Sequence, residues 1–276
     1  MIRTERMSRL ILALSLSCAV GLAGCGRTSM PPMDDADSAP PEIPPASTMV
    51  MEFDDFQTGA RTSNQLIETW GRSFFNVAVW STLVTVTLAI PVAAFQESFN
   101  HEPERRTDGT WVWRYDVPVN GATLSAELTA EAVESRIEWN MFLSQSDGFQ
   151  NVNWFSGMSN LTATSGTWRL NMDPDDPQPF LDIEWSRDPS GVPSEIRYTN
   201  IIPDEPNNGG YIQYGVTADG DYDRVYEIYL PEGDDRVNIE WNSVTRAGRL
   251  MEPNHFGDSE WHCWDADLLD AECPAP

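Results

Sequence analysis

Trp111-Val112-Trp113-Arg114-Tyr115-Asp116-Val117, Ala122-Thr123-Leu124-Ser125-Ala126-Glu127-Leu128 and Ile137-Glu138-Trp139-Asn140-Met141-Phe142-Leu143 are stretches in which apolar residues recur at every second position. Period-two spacing sends alternate side chains to opposite faces of a β-strand, so each stretch reads as a strand with one apolar face. The same pattern predicts strands at 152–156, 167–172, 181–186, 195–200, 211–217, 224–230 and 236–242. Turn residues separate them, at Asp147-Gly148, Ser165-Gly166, Asp188-Pro189-Ser190-Gly191, Asn208-Gly209-Gly210, Asp219-Gly220 and Glu232-Gly233. Gaps this short leave no room for the helices that parallel crossovers require. The expectation is a mainly β fold, an up-and-down antiparallel meander of about ten strands that curves into a sheet or open barrel.

Upstream of the meander, Thr62 with Gln65 fits a helix capping box. Leu66, Trp70, Phe74, Val77 and Val84 then recur near helical spacing, and Pro91 is read as the stop. From Phe74 to Phe95 there are 22 residues without a charge. Three readings of residues 74–95 stand: a core helix packed under the sheet, a strand over the β-branched part 83–90, or a membrane span. The helix-plus-curved-meander layout is similar to the open-barrel, Lol-type carriers and receptors that handle lipoproteins in the Gram-negative periplasm. That resemblance implies a concave sheet able to hold an apolar ligand or an acylated partner.

The 276 residues include 43 acidic and 17 basic ones, for a net charge of −26. No lysine is present, so every cation among those 17 is an arginine. Such a balance excludes a broad nucleic-acid surface, which needs concentrated positive charge, and electrostatic docking on anionic lipid.

Arg3, Arg6 and Arg9 precede an uncharged, leucine-rich stretch at 10–22, the plan of a secretory leader. It runs into Leu22-Ala23-Gly24-Cys25, which resembles the lipobox of bacterial lipoproteins. In that family the leader is cut before the cysteine, whose sulfur carries diacylglycerol. The resemblance implies a signal peptide at 1–24, lipidation of Cys25 and a membrane partner reached through the anchor. Gly26, standing where enterobacterial inner-membrane retention uses aspartate, implies an outer-membrane destination. Loss of residues 1–24, which hold three arginines and one glutamate, takes the net charge from −26 to −28. Proline pairs at 31–32, 40–41 and 44–45 then predict an extended, solvated tether over 25–52, followed by one domain at 53–276.

Eleven tryptophans lie beyond the leader. Trp111, Trp113, Trp139, Trp154, Trp168, Trp185 and Trp241 fall in predicted strands, joined by Tyr198, Tyr214 and Tyr226. Their registers put most of them on one face, as a core or as a platform for a ligand. Cys263 and Cys273, with nine residues between them and in an oxidising compartment, are expected to form a disulfide. Zinc ligation with His255 and His262 is the rival, and it lacks the usual close cysteine pair. The alternating acids from Asp219 to Asp223 do not complete a calcium loop, because Leu230 stands where a bidentate glutamate is required. No metal or cofactor is expected.

No nucleophile elbow, phosphate loop or dinucleotide fingerprint occurs. The preferred reading is a lipid-anchored, non-enzymatic envelope protein that meets a lipid or another envelope protein. One alternative is a glycan-binding or glycan-hydrolysing surface protein, for which Glu184 and Glu240 are the first carboxylate candidates. Another is a structural lipoprotein without a small ligand.

Overall fold

The computed structural model describes residues 39–51, 53, 68–119, 121–188, 193–217 and 220–274, all in the unit Ala39–Pro276. The leader, Cys25, the capping box and Asp219 lie outside them. Fourteen strands form one sheet: β1 (Glu104–Arg105), β2 (Trp111–Val119), β3 (Ala122–Val133), β4 (Arg136–Gln145), β5 (Val152–Asn160), β6 (Ser165–Asn171), β7 (Pro179–Arg187), β8 (Pro193–Asn200), β9 (Tyr211–Val216), β10 (Arg224–Leu230), β11 (Asp235–Trp241), β12 (Gly248–Met251), β13 (His262–Trp264) and β14 (Asp270–Ala271). Each pairs with its neighbour in sequence, and β1 and β14 are the free edges of an unclosed antiparallel meander. The ten predicted strands are β2 to β11. The short β1 and β12 to β14 carry too few residues for a period to be read.

Burial alternates along most strands, broken where adjacent residues such as Val112 and Trp113 or Trp154 and Phe155 are both buried, and the inner face is an apolar layer. One inner row crosses the sheet as Trp139, Gly157, Trp168, Ile183, Tyr198 and Ile212. Gly157 stands between two indoles for a steric reason. A Cβ there would lie 2.2 Å from the Trp168 ring and 2.3 Å from the Thr167 carbonyl oxygen. Gly248, between Trp241 and Trp264, repeats the device, its Cβ position 2.2 Å from the Trp264 ring. Gly166, expected in a turn, belongs to β6 opposite Trp185.

The helix α1 (Thr69–Glu97) packs on this sheet and touches β2 at one margin and β12 and β13 at the other. Of the three readings of residues 74–95, it removes the strand. The Thr82 and Thr87 hydroxyls donate to the carbonyls of Ala78 and Leu83 at 2.9 and 2.8 Å, so these β-branched residues satisfy their polar groups within the helix. Pro91 does not stop it. The ring forgoes one helical N–H bond, but Leu88, Pro91, Ala94 and Phe95 are all buried, and their packing carries the helix on.

The helix has no side-chain cap of its own. Its first N–H, on Thr69, donates to Asp270 Oδ1 at 2.8 Å, and the Asp270 N–H donates to Glu68 Oε2 at 2.9 Å. A carboxylate from β14 therefore supplies the negative charge that a helix start favours. At the far end Tyr115 donates its hydroxyl proton to the Ala94 carbonyl at 2.8 Å. Cys263 and Cys273 form the expected disulfide, with Cα atoms 5.2 Å apart.

The tether differs from expectation. Its last described part enters the concave side of the sheet, with a 3-10 turn at Ala46–Thr48. Pro44, Thr48, Met49 and Met51 are buried. Proline density correctly forbids a strand there; it does not forbid burial, because this segment makes no ladder and is held by side chains.

Candidate functional site: an apolar helix face

Six of the seven tryptophans singled out in the sequence, Trp113, Trp139, Trp154, Trp168, Trp185 and Trp241, are buried. They form a core and present no open platform. Trp111 is half-buried near β1, with the Arg105 guanidinium 5.7 Å from its ring. The concavity beneath the aromatic layer is occupied by the chain's own Met49, Met51 and Phe53, all in the same core cluster.

The outer face carries paired charges. Arg169 meets Asp182 with two bonds of 2.7 Å, Arg114 donates to Glu127 at 2.8 Å, and Arg249 donates to Glu240 at 2.7 Å. Glu240 is thus in an ion pair, while Glu184 is exposed on β7, four strands away from it. The two carboxylates are not brought together. Acidic clusters at loop tips bond their own backbone: Asp265 Oδ1 accepts from the N–H groups of Asp267 and Leu269, and Asp173 from that of Asp175. His262 stacks on Phe256 with centroids 3.6 Å apart and contacts Asp258. Among the described residues no group of three or more His, Cys, Asp or Glu could hold a metal ion.

One surface stands out. Along α1, Val77, Val84 and Leu88 face the core, whereas Phe75, Val79, Leu83 and Val86 are 51, 64, 57 and 74% exposed. Ala78, Thr82 and Thr87 fill the spaces between them. Spacings of four, four and three residues align these side chains on one helix face. By length and composition the helix Thr69–Asn100 could cross a membrane, with a mean hydropathy of 1.9 over its most apolar window, yet 28% of that window is buried against the sheet. A contiguous exposed apolar strip of this kind is a candidate interaction surface.

The charged residues that bound the strip have side-chain partners. At its start the Arg72 guanidinium grips Glu252 through both side-chain oxygens, its Nε lying 2.8 Å from Oε2. Asn76 donates to the same Oε2 at 3.0 Å. The bond to Glu252 holds the guanidinium value above its ordinary one. Asp235, close by, is raised above the usual carboxylate range by burial and then by the charge of Glu252. At the other end Glu97 contacts His101 at 3.1 Å and Asn100 at 3.2 Å. Sequence reasoning missed the Arg72–Glu252 contact, which joins residues 180 positions apart. It noted the uncharged run without identifying which side of it would face outward.

No protein-family model matches the chain, and no curated protein or solved structure does so either.

Proposed function

We propose that this is a lipid-anchored protein of the Gram-negative outer membrane, held by an acylated Cys25, that rests on its membrane through the exposed face of α1. The observation that carries the reading is the strip Phe75, Val79, Leu83 and Val86, exposed on a helix that has no charge for 22 residues. Burying each such side chain is worth roughly 1.5–3 kcal/mol at most. Only the exposed 51 to 74% of each side chain is left to bury, so the strip gives at best a reversible contact, comparable to a single acyl chain, and serves to orient a protein already tethered. Acyl chains on Cys25, at about 0.8 kcal/mol per buried CH2, supply the tether.

Chain length fits this arrangement. Ala39, the first described residue, follows Cys25 by 14 positions, a reach of at most about 50 Å. The net charge, −28 once residues 1–24 are lost, disfavours the acidic surface for an anionic leaflet. The helix face, free of charge, is the part that meets the acyl-chain boundary at least cost. The aromatic core then serves as a rigid bed that holds the helix, and its concave side is filled by the chain itself.

Two measurements on the full chain, made with its leader in a Gram-negative host, test the proposal. Mass spectrometry is expected to find diacylglycerol on Cys25; a free thiol there removes the anchor. Leu83→Trp protein in phosphatidylcholine vesicles is expected to lose emission when the acyl chains are brominated, relative to the parent. Emission indifferent to bromine removes the helix contact.

A further inference from the structure

Residues 43–51 and Phe53 lie across the concave side of the sheet without joining it. None of the described residues among them is part of a strand. Met49, Met51 and Phe53 are buried while Val50 is exposed, so the segment, which includes the 3-10 turn at Ala46–Thr48, is a strap that leaves Val50 in solvent. The sheet grips it by its main chain. The Tyr198 hydroxyl accepts the Met51 N–H at 2.6 Å and donates to the Met49 carbonyl at 2.9 Å. The Trp168 indole donates to the Thr48 hydroxyl at 3.1 Å, and Phe53 stacks on Tyr226 at 6.2 Å. Beside Trp168, the ring of Trp185 stacks at 6.4 Å, and its buried N–H has no hydrogen-bond partner among the described residues.

We propose that the concave face is a binding groove for an apolar peptide, occupied here by the chain's own residues 43–51 and Phe53 and open to a peptide of another protein when that strap withdraws. The grip on backbone groups accepts any sequence of suitable shape, and methionine side chains adapt to irregular space. The ligand chemistry follows from the polar atoms in the groove. A bare acyl chain would bury the Tyr198 hydroxyl and the Trp168 and Trp185 N–H groups without partners, a cost of roughly 1–3 kcal/mol each. A peptide offers carbonyls and N–H groups at each residue, including an acceptor for Trp185. Withdrawal is feasible because the strap adds nothing to the strand ladder, which is complete from β1 to β14 without it.

The test uses the full chain. A fluorescein-labelled peptide with the sequence of residues 43–53 is titrated against the parent and against Met49→Ala/Met51→Ala protein. Saturable binding at least tenfold tighter to the weakened chain is expected, falling at least tenfold when Tyr198→Phe is added. Absence of saturable binding to the folded double variant, equal affinity for parent and variant, or indifference to Tyr198→Phe overturns the proposal. So does decanoate binding to the variant in the peptide's stead. Should the double variant fail to fold, amide exchange in the parent decides. The Met51 amide is expected to exchange at least a hundredfold faster than amides of β7; equal rates would make the strap an ordinary part of the core and end the proposal.

Discussion

Replacing Arg72 by alanine and replacing Glu252 by glutamine remove the same ion pair, and the structure predicts unequal costs. The Glu252 side chain is 1% exposed, that of Arg72 38%. Arg72→Ala leaves a carboxylate shut in the protein with Asn76 as its remaining side-chain donor and Asp235 close enough to repel it. Stranding one partner of a buried pair costs about 3–5 kcal/mol. Glu252→Gln leaves a guanidinium already one-third in water, and the amide oxygen still accepts a hydrogen bond. Its cost is that of a partly screened interaction, about 1 kcal/mol. The two changes together remove the stranded charge, so the double variant should be more stable than Arg72→Ala alone, by about 1–2 kcal/mol. Urea denaturation of the three variants and the parent at pH 7, at constant m-value, measures all four corners of this cycle. Equal losses for the two single variants, or a double variant less stable than Arg72→Ala, would refute the asymmetry and with it the view that this contact pins the start of α1 to the sheet.

Three further outcomes are expected. Gly157→Ala should lower stability by roughly 2–3 kcal/mol, because its Cβ meets a backbone oxygen at 2.3 Å as well as the Trp168 ring and neither can yield without moving a strand; calorimetry showing an unchanged Tm would contradict the packing. Reducing Cys263–Cys273 should cost about 2–3 kcal/mol on the loop-entropy argument, read as a lower urea midpoint in dithiothreitol. Asp235 binds its proton more tightly in the folded state than in the unfolded one, so it costs stability at neutral pH and the cost vanishes as pH falls below the ordinary carboxylate value of about 3.9. Asp235→Asn should therefore gain a little stability at pH 7, small because the group is partly solvated, and nothing near pH 3; a loss at pH 7 would reverse the sign.

Strands β2 to β11 were legible because their signal is local. Trp113, Tyr115 and Val117 on one strand and Leu124, Ala126 and Leu128 on the next alternate in the chain as they alternate in space. The disulfide was legible for a similar reason, two cysteines being left to pair across a short loop. The end of α1 was not, since Pro91 and the β-branched residues argue locally against a helix that Leu88, Ala94 and Phe95 sustain by burial. Gly166 looked like a turn because its function, making room for Trp185 on the neighbouring strand, is a cross-strand property. The candidate surface was half legible. The 22 uncharged residues announced themselves; that Phe75, Val79, Leu83 and Val86 face outward depends on which side of the helix meets the sheet.

By itself, then, the chain determined the meander, its inner and outer faces and the uncharged stretch ahead of it, since period and composition act between neighbours a few residues apart. Tertiary structure alone decided that a carboxylate of β14 caps α1, that Glu252 holds Arg72, and that a proline-rich segment fills the aromatic concavity. Those choices belong to side chains some 120 to 200 positions apart, whose meeting is set by the curvature of the whole sheet and leaves no periodic trace in the sequence.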